Sequence, residues 1–146
     1  MQIRSIDENK YQAYLDSIEY ADFLQSVEQS NKLKSNGWQV EYLQFVENDV
    51  VKASAMIGII PLMKVFKYCY VPRGFIMDYH DKGLVSIVTK VFKEYLNSKG
   101  IVYAEIDPAI QLQQRNQDGD IVEGGFNNFD VVENLKSSGF LQLPLK

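Results

Sequence analysis

Between Tyr68 and Tyr79 the chain reads YCYVPRGFIMDY, an aromatic run that ends on an arginine held between a proline and a glycine. Proline fixes φ and glycine reaches backbone geometries closed to other residues, so Pro72 and Gly74 set Arg73 in a stiff turn that a ligand can approach closely. The planar guanidinium then offers a fork of donors matched to a phosphate or a carboxylate. Asp78 follows four residues after Gly74 and can pair with Arg73, cap the next helix, or take part in proton transfer. A second group of carboxylates lies in YAEIDP, residues 103–108. There Asp107 shares a strand face with Tyr103 and Glu105. Asp107 either stabilises the turn into Pro108 or orients or deprotonates a bound nucleophile. An ordinary aspartate is a weak base at neutral pH, so the second role needs a raised pKa or rests on orientation. The tripeptide Pro72-Arg73-Gly74 alone also describes a plain surface turn with a solvated arginine.

The elements that must position these residues follow from periodicity. Met1 to Ile6 suits a short edge strand, and Asp7 caps a helix whose apolar residues Tyr11, Tyr14, Leu15 and Ile18 recur at helical spacing. Ser26 and Gln29 have the spacing of a capping box for a second helix, about Val27 to Ser35, from which Lys32 and Lys34 project; Gly37 suits its end. Trp38 to Val46 and Val50 to Ile60 read as a hairpin across Glu47-Asn48-Asp49, with Val51, Ala53, Ala55, Ile57 and Ile59 on one face. Val65 to Val71 forms a third strand that runs into the arginine turn. From about Asp81 to Ser98, Leu84, Ile87, Val88, Val91, Phe92, Tyr95 and Leu96 trace one helical face, ended by Gly100. Ile101 to Asp107 is a strand stopped by Pro108, and residues 109–127 form a polar loop with a small hairpin at Asp118-Gly119-Asp120. A last helix, Asn128 to Ser138, presents Phe129, Val132 and Leu135. The expectation is one α/β (α+β) domain over residues 1–146, a mixed sheet of 38–71 and 101–107 flanked by helices, with the long helix packed on it through Leu84, Val88, Val91 and Tyr95.

Several of these segments, taken in order, resemble the Fem family of peptidoglycan-bridge aminoacyltransferases. They are FLQS at 23–26, PLMKVFKY at 61–68 leading to PRGFIMDY, YAEIDP at 103–108, Asp118-Gly119-Asp120 and Ser138-Gly139-Phe140. The resemblance implies an N-terminal, acetyltransferase-like (GNAT-like) subdomain of a larger enzyme, with a second acyltransferase-like half outside this chain. It implies transfer of an amino acid from aminoacyl-tRNA to the stem-peptide amine of a lipid-linked or UDP-linked precursor. No cofactor beyond that co-substrate is expected. It further implies Asp107, then Asp78, as the catalytic carboxylates, and Arg73, Gly74 and Tyr103 as substrate contacts. A lysine for the precursor phosphate falls nominally at Leu33, which leaves Lys32 and Lys34 beside it as the candidates for that contact, each of which alternatively only solvates its helix. Phe75 stands where the family pattern has a second proline after Arg-Gly.

Composition bounds the alternatives. A chain of 146 residues with 46% hydrophobic residues can bury about 70% of its unfolded surface. The net charge is −4, yet residues 64–100 carry seven Lys or Arg against three Asp or Glu. That asymmetry suits either a solvated helix face or a face that receives an anion. An acidic chain without a basic cluster is a poor nucleic-acid binder by itself, so other parts of the enzyme must supply most of any grip on tRNA. One cysteine and one histidine leave no disulfide and no Cys/His zinc set. Cys69 reads as a small buried residue, and His80 as an exposed one near a helix start. With no apolar leader and no run of about 20 apolar residues, the cytoplasm is the expected compartment, with at most peripheral contact at the membrane face. Two other readings stay open: a small-molecule N-acetyltransferase-like domain using acyl-coenzyme A, and a non-catalytic interaction module.

Overall fold

The structure, a computed structural model, describes residues 1–18, 26–62, 64–108, 115–125 and 127–143. Of the FLQS segment, only Ser26 lies among them. The elements run β1 (Gln2–Ile6), α1 (Glu8–Ser17), α2 (Val27–Ser35), β2 (Gln39–Glu47), β3 (Val50–Pro61), β4 (Lys67–Val71), α3 (Lys82–Ser98), β5 (Ile101–Ile106) and α4 (Phe129–Ser137). Two expected caps form, Asp7 accepting the Lys10 N–H at 2.8 Å and Ser26 the Gln29 N–H at 3.1 Å, whereas the long helix is capped by Asp81, which accepts the Leu84 N–H at 3.0 Å, and not by Asp78.

Among the described residues the strands form one sheet in the order β1-β2-β3-β4-β5. The pairs β1/β2, β2/β3 and β3/β4 are antiparallel. The β2–β3 hairpin turns through Asn48 and Asp49, at φ 51 and 62, the left-handed pair that matches the twist of the strands. β4 and β5 pair in parallel, with Cys69 opposite Ala104 and Val71 opposite Ile106. The connection that parallel pairing requires is made by α3.

Strand alternation sends successive side chains to opposite faces, and the two faces build two cores. On one, Leu43, Phe45, Ala53, Ala55, Ile57, Cys69 and Val71 meet Val85, Val88 and Phe92 of α3 and Val131 of α4. On the other, Tyr42 and Met56 meet Tyr11 and Leu15 of α1. Gly58 lies on this second face, where a Cβ would come within 3.0 Å of the Trp38 ring, a tight contact.

Two expected helix faces are rotated. α3 buries Val88, Phe92 and Leu96 of the expected face together with Val85 and Thr89 beside it, while Leu84, Val91 and Tyr95 pack at the margin of the core. Thr89 can be buried because its hydroxyl donates to the Val85 carbonyl at 2.7 Å, and Tyr95 stays at the margin because its hydroxyl donates to Glu41 at 2.7 Å. In α4 the inward residues are Val131 and Asn134, and Phe129 is 50% exposed. Asn134 faces inward because its amide donates to the Tyr79 carbonyl at 3.0 Å, satisfying backbone at the end of the loop that carries Arg73.

Candidate functional site

The loop after β4 leaves the sheet at Val71 and returns at Ile76, which exchanges backbone hydrogen bonds with Ser54 of β3 at 2.8 and 3.1 Å. Between these ties Gly74 N–H donates to the Val71 carbonyl at 3.0 Å. This closes a β-turn with Pro72 and Arg73 as its two central residues. Arg73 has φ 59 and Gly74 φ 73, so the position that usually demands glycine is filled by the arginine itself. Pro72, Gly74 and Phe75 are buried and Arg73 is half-buried, which removes the plain surface turn as a description.

Asp107, at the end of β5, joins this turn. One carboxylate oxygen accepts the Arg73 backbone N–H and the other accepts the Tyr70 hydroxyl, the latter at 2.8 Å. Burial, and then the hydrogen bond to Asp107, push the Tyr70 phenol up to about 12, so it stays a donor at neutral pH. From the other side Tyr79, 4% exposed, bonds both backbone groups of Phe75: its hydroxyl oxygen accepts the N–H at 2.7 Å and its O–H donates to the carbonyl at 2.9 Å. The Phe75 ring meets Phe45 and Phe92 edge-on, at centroid distances of 5.7 and 5.1 Å, anchoring the loop in the main core.

The second face of the sheet carries an aromatic row toward the same end. Tyr68 lies 6.0 Å from Trp38 and stacks on Tyr103 at 5.5 Å, and its hydroxyl donates to Glu105 at 2.8 Å. A groove of about 1210 Å³ follows the outer edge of β5 from this row to Asp107 and Pro108, with Lys93 and Phe140 on its other wall. Tyr103 is 46% exposed beside it.

Of the residues singled out from the sequence, Arg73, Gly74 and Asp107 come together at one turn, with Tyr103 on the sheet face that Asp107 shares. Lys32 and Lys34 are exposed on α2, which covers part of that face, and Lys34 Nζ sits 5.7 Å from the Tyr42 ring centroid. Asp78 is exposed and accepts the His80 N–H at 3.0 Å. His80 pairs with Asp130 at 2.6 Å, which raises its pKa. Cys69 is fully buried, and burial pushes its thiol up to about 12, leaving it inert at neutral pH. Sequence reasoning misses Tyr70 and Tyr79, since both act through partners that only the fold brings close. Among the described residues no group of three or more His, Cys, Asp or Glu could hold a metal ion, and no helix is long and apolar enough to cross a membrane.

Comparison with known proteins supplies the lineage. The aminoacyltransferase FemA of Staphylococcus aureus (strain bovine RF122 / ET3-1) is 30% identical over 138 residues, covering 92% of this chain and 33% of FemA. The crystal structure of FemX superposes with a TM-score of 0.72 at 23% identity, covering 95% of this chain and 32% of FemX. An aminoglycoside 6′-N-acetyltransferase of Acinetobacter haemolyticus shares the fold at a TM-score of 0.53 and 10% identity, covering 100% of this chain and 94% of that one. The chain thus spans about a third of the curated relatives it matches, at 33% of their length. The profile of the FemAB family matches residues 6–142, nearly every described element included, and this chain belongs to the FemAB family.

Proposed function

We propose that this chain is the N-terminal, acetyltransferase-like part of an aminoacyltransferase that builds the interpeptide bridge of peptidoglycan. In this reading the stem-peptide amine attacks the ester carbonyl of an aminoacyl-tRNA. The new amide C–N bond forms, the ester C–O bond breaks, the tRNA leaves with its hydroxyl restored, and the amine loses a proton. The observation that carries the reading is the family match over residues 6–142, with relatives that bear the name aminoacyltransferase. The geometry agrees with it. In open α/β sheets ligands gather at the carboxyl ends of parallel strands, and the Arg73 turn and Asp107 lie at that end of β4 and β5.

Arg73 is the chain's anchor for precursor phosphate or carboxylate, with Lys32 or Lys34 as an added cation and Tyr103 beside the groove. Asp107 stands closest to the turn, but both its oxygens accept protein hydrogen bonds. Its surroundings therefore favour orientation over proton acceptance. Asp78, exposed on the loop, is the other carboxylate for the amine. With a third of the relatives' length present, the remaining contacts to precursor and tRNA come from elsewhere in the whole protein, and the 146-residue chain alone shows little transfer.

The test is titration of the whole protein and of this chain with UDP-linked muropeptide precursor, beside a transfer assay with aminoacyl-tRNA. Arg73→Ala is expected to raise KM about tenfold and leave kcat nearly unchanged, as loss of a charge-assisted anchor should. A whole protein that does not bind precursor would sink the reading, and thermal protection by coenzyme A would point to acyl-coenzyme A chemistry in its place.

A further inference from the structure

We propose that Asp107 and Tyr79 are positioning residues that clamp the Arg73 turn from its two ends, so that the arginine meets its anion already in place. The inference rests on the reading of Arg73 as an anion contact. A non-glycine residue at φ 59 is held against a steric penalty, and such a backbone persists only where its surroundings over-determine it. Here they do. Asp107 fixes the Arg73 N–H with one oxygen and uses the other on Tyr70, so β5, the end of β4 and the turn share one carboxylate. Beyond the turn, the Tyr79 hydroxyl occupies both backbone groups of Phe75. That pair of hydrogen bonds exists only because residue 75 is not proline, which would have no N–H to donate.

Gly74 packs between the two halves. A Cβ on it would lie 2.5 Å from the Tyr79 hydroxyl and 2.9 Å from the Pro108 Cα, so neither side of the turn has room to relax. Burial raises the Tyr79 pKa, which keeps its proton available to the Phe75 carbonyl at neutral pH.

The clamp and a proton-acceptor role for Asp107 diverge in what Asp107→Asn does. The asparagine side chain would keep an oxygen for the Arg73 N–H and put an amide against the Tyr70 hydroxyl oxygen, preserving the shape while losing the negative charge. Alanine loses both. The experiment compares Asp107→Asn, Asp107→Ala and Tyr79→Phe with the wild type, using amide exchange at Arg73 and Phe75 in this chain and titration with inorganic pyrophosphate. Asp107→Ala is expected to speed exchange at Arg73 and weaken pyrophosphate binding, each about tenfold, with Asp107→Asn within about threefold of wild type. Tyr79→Phe is expected to speed exchange at Phe75 while the rest of the domain keeps its protection. In the whole enzyme the loss should appear in KM and be rescued by asparagine.

Unchanged Arg73 exchange in Asp107→Ala would overturn the clamp. A fall in kcat of about 100-fold or more in Asp107→Asn, at unchanged KM, would overturn it in favour of proton acceptance. If wild type fails to bind pyrophosphate while Arg73 exchange still responds to Asp107→Ala, the anion reading fails and the clamp is a device of the fold alone.

Discussion

Arg73 and Gly74 both adopt positive φ, at 59 and 73, and this consecutive pair decides what the loop tolerates. Gly74→Ala adds a Cβ that would sit 2.5 Å from the Tyr79 hydroxyl and 2.9 Å from the Pro108 Cα. Backbone strain and steric overlap act together, so the variant should be destabilised by about 2 kcal/mol or more. Urea denaturation measures this, and a stability equal to wild type would show that the turn is softer than its contacts suggest. The composition of the turn is legible in the sequence, because proline and glycine constrain φ wherever they occur. Its closure is not. Asp107 and Arg73 are 34 positions apart, and nothing local in either segment says that β4 and β5 lie side by side in parallel with their carboxyl ends level. Tyr79 is hidden for the same reason: four residues from Phe75 but on no regular element, it has no periodicity to announce where its hydroxyl goes.

At the level of elements, periodicity performs well on existence and poorly on phase. The capping residues Asp7 and Ser26, the hairpin at Asn48-Asp49 and the crossover helix all stand where pattern puts them. The stripe expected on α3 lies about one residue off the observed centre. Leu84, Val91 and Tyr95 are apolar and correctly spaced but only partly buried, whereas Val88 of the same stripe and Val85 beside it are at 0% exposure. Apolarity marks a broad arc of a helix, and the partner surface selects its middle: here the rings of Phe45 and Phe75, packed edge-on against Phe92 of the helix. The difference is measurable. Val85→Asp places an unpaired charge in the main core and should cost at least about 3 kcal/mol, enough to unfold a marginal domain. Val91→Asp, on a half-buried margin, lets the carboxylate reach water and should cost less than half as much. Equal loss of stability in the two variants, compared by urea midpoint, would return the centre of the interface to the sequence-derived stripe. α4 departs from its pattern for a polar reason, since the inward place is taken by Asn134 to serve the Tyr79 carbonyl, a demand no hydrophobic pattern encodes.

Over the whole chain the balance of charge bears on how an anionic ligand, the precursor of the proposed function, would be received. The chain carries −4 overall, while residues 64–100 hold seven Lys or Arg against three Asp or Glu. A polyanionic ligand would therefore be repelled by this chain taken as a unit, and its approach to it would depend on a few local cations. Arg73 is the one of these set at the carboxyl ends of the parallel strands, with its backbone bound to Asp107. Precursor affinity of the whole protein should thus fall as ionic strength rises, since a Debye length of about 10 Å at 0.1 M screens such contacts. Arg73→Ala should lower the affinity most at low salt and flatten that dependence, so that wild type and variant converge at high salt. Removal of a distant helix cation, as in Lys90→Ala, should shift both curves little. Dissociation constants measured across a salt series decide the matter, with thermal midpoints of the same samples to separate binding from folding. Parallel salt dependences in wild type and Arg73→Ala, at equal thermal stability, would mean that the guanidinium does not face the anion. The cationic anchor would then have to be sought on α2, at Lys32 or Lys34, where the sheet face that carries Tyr103 and Asp107 continues.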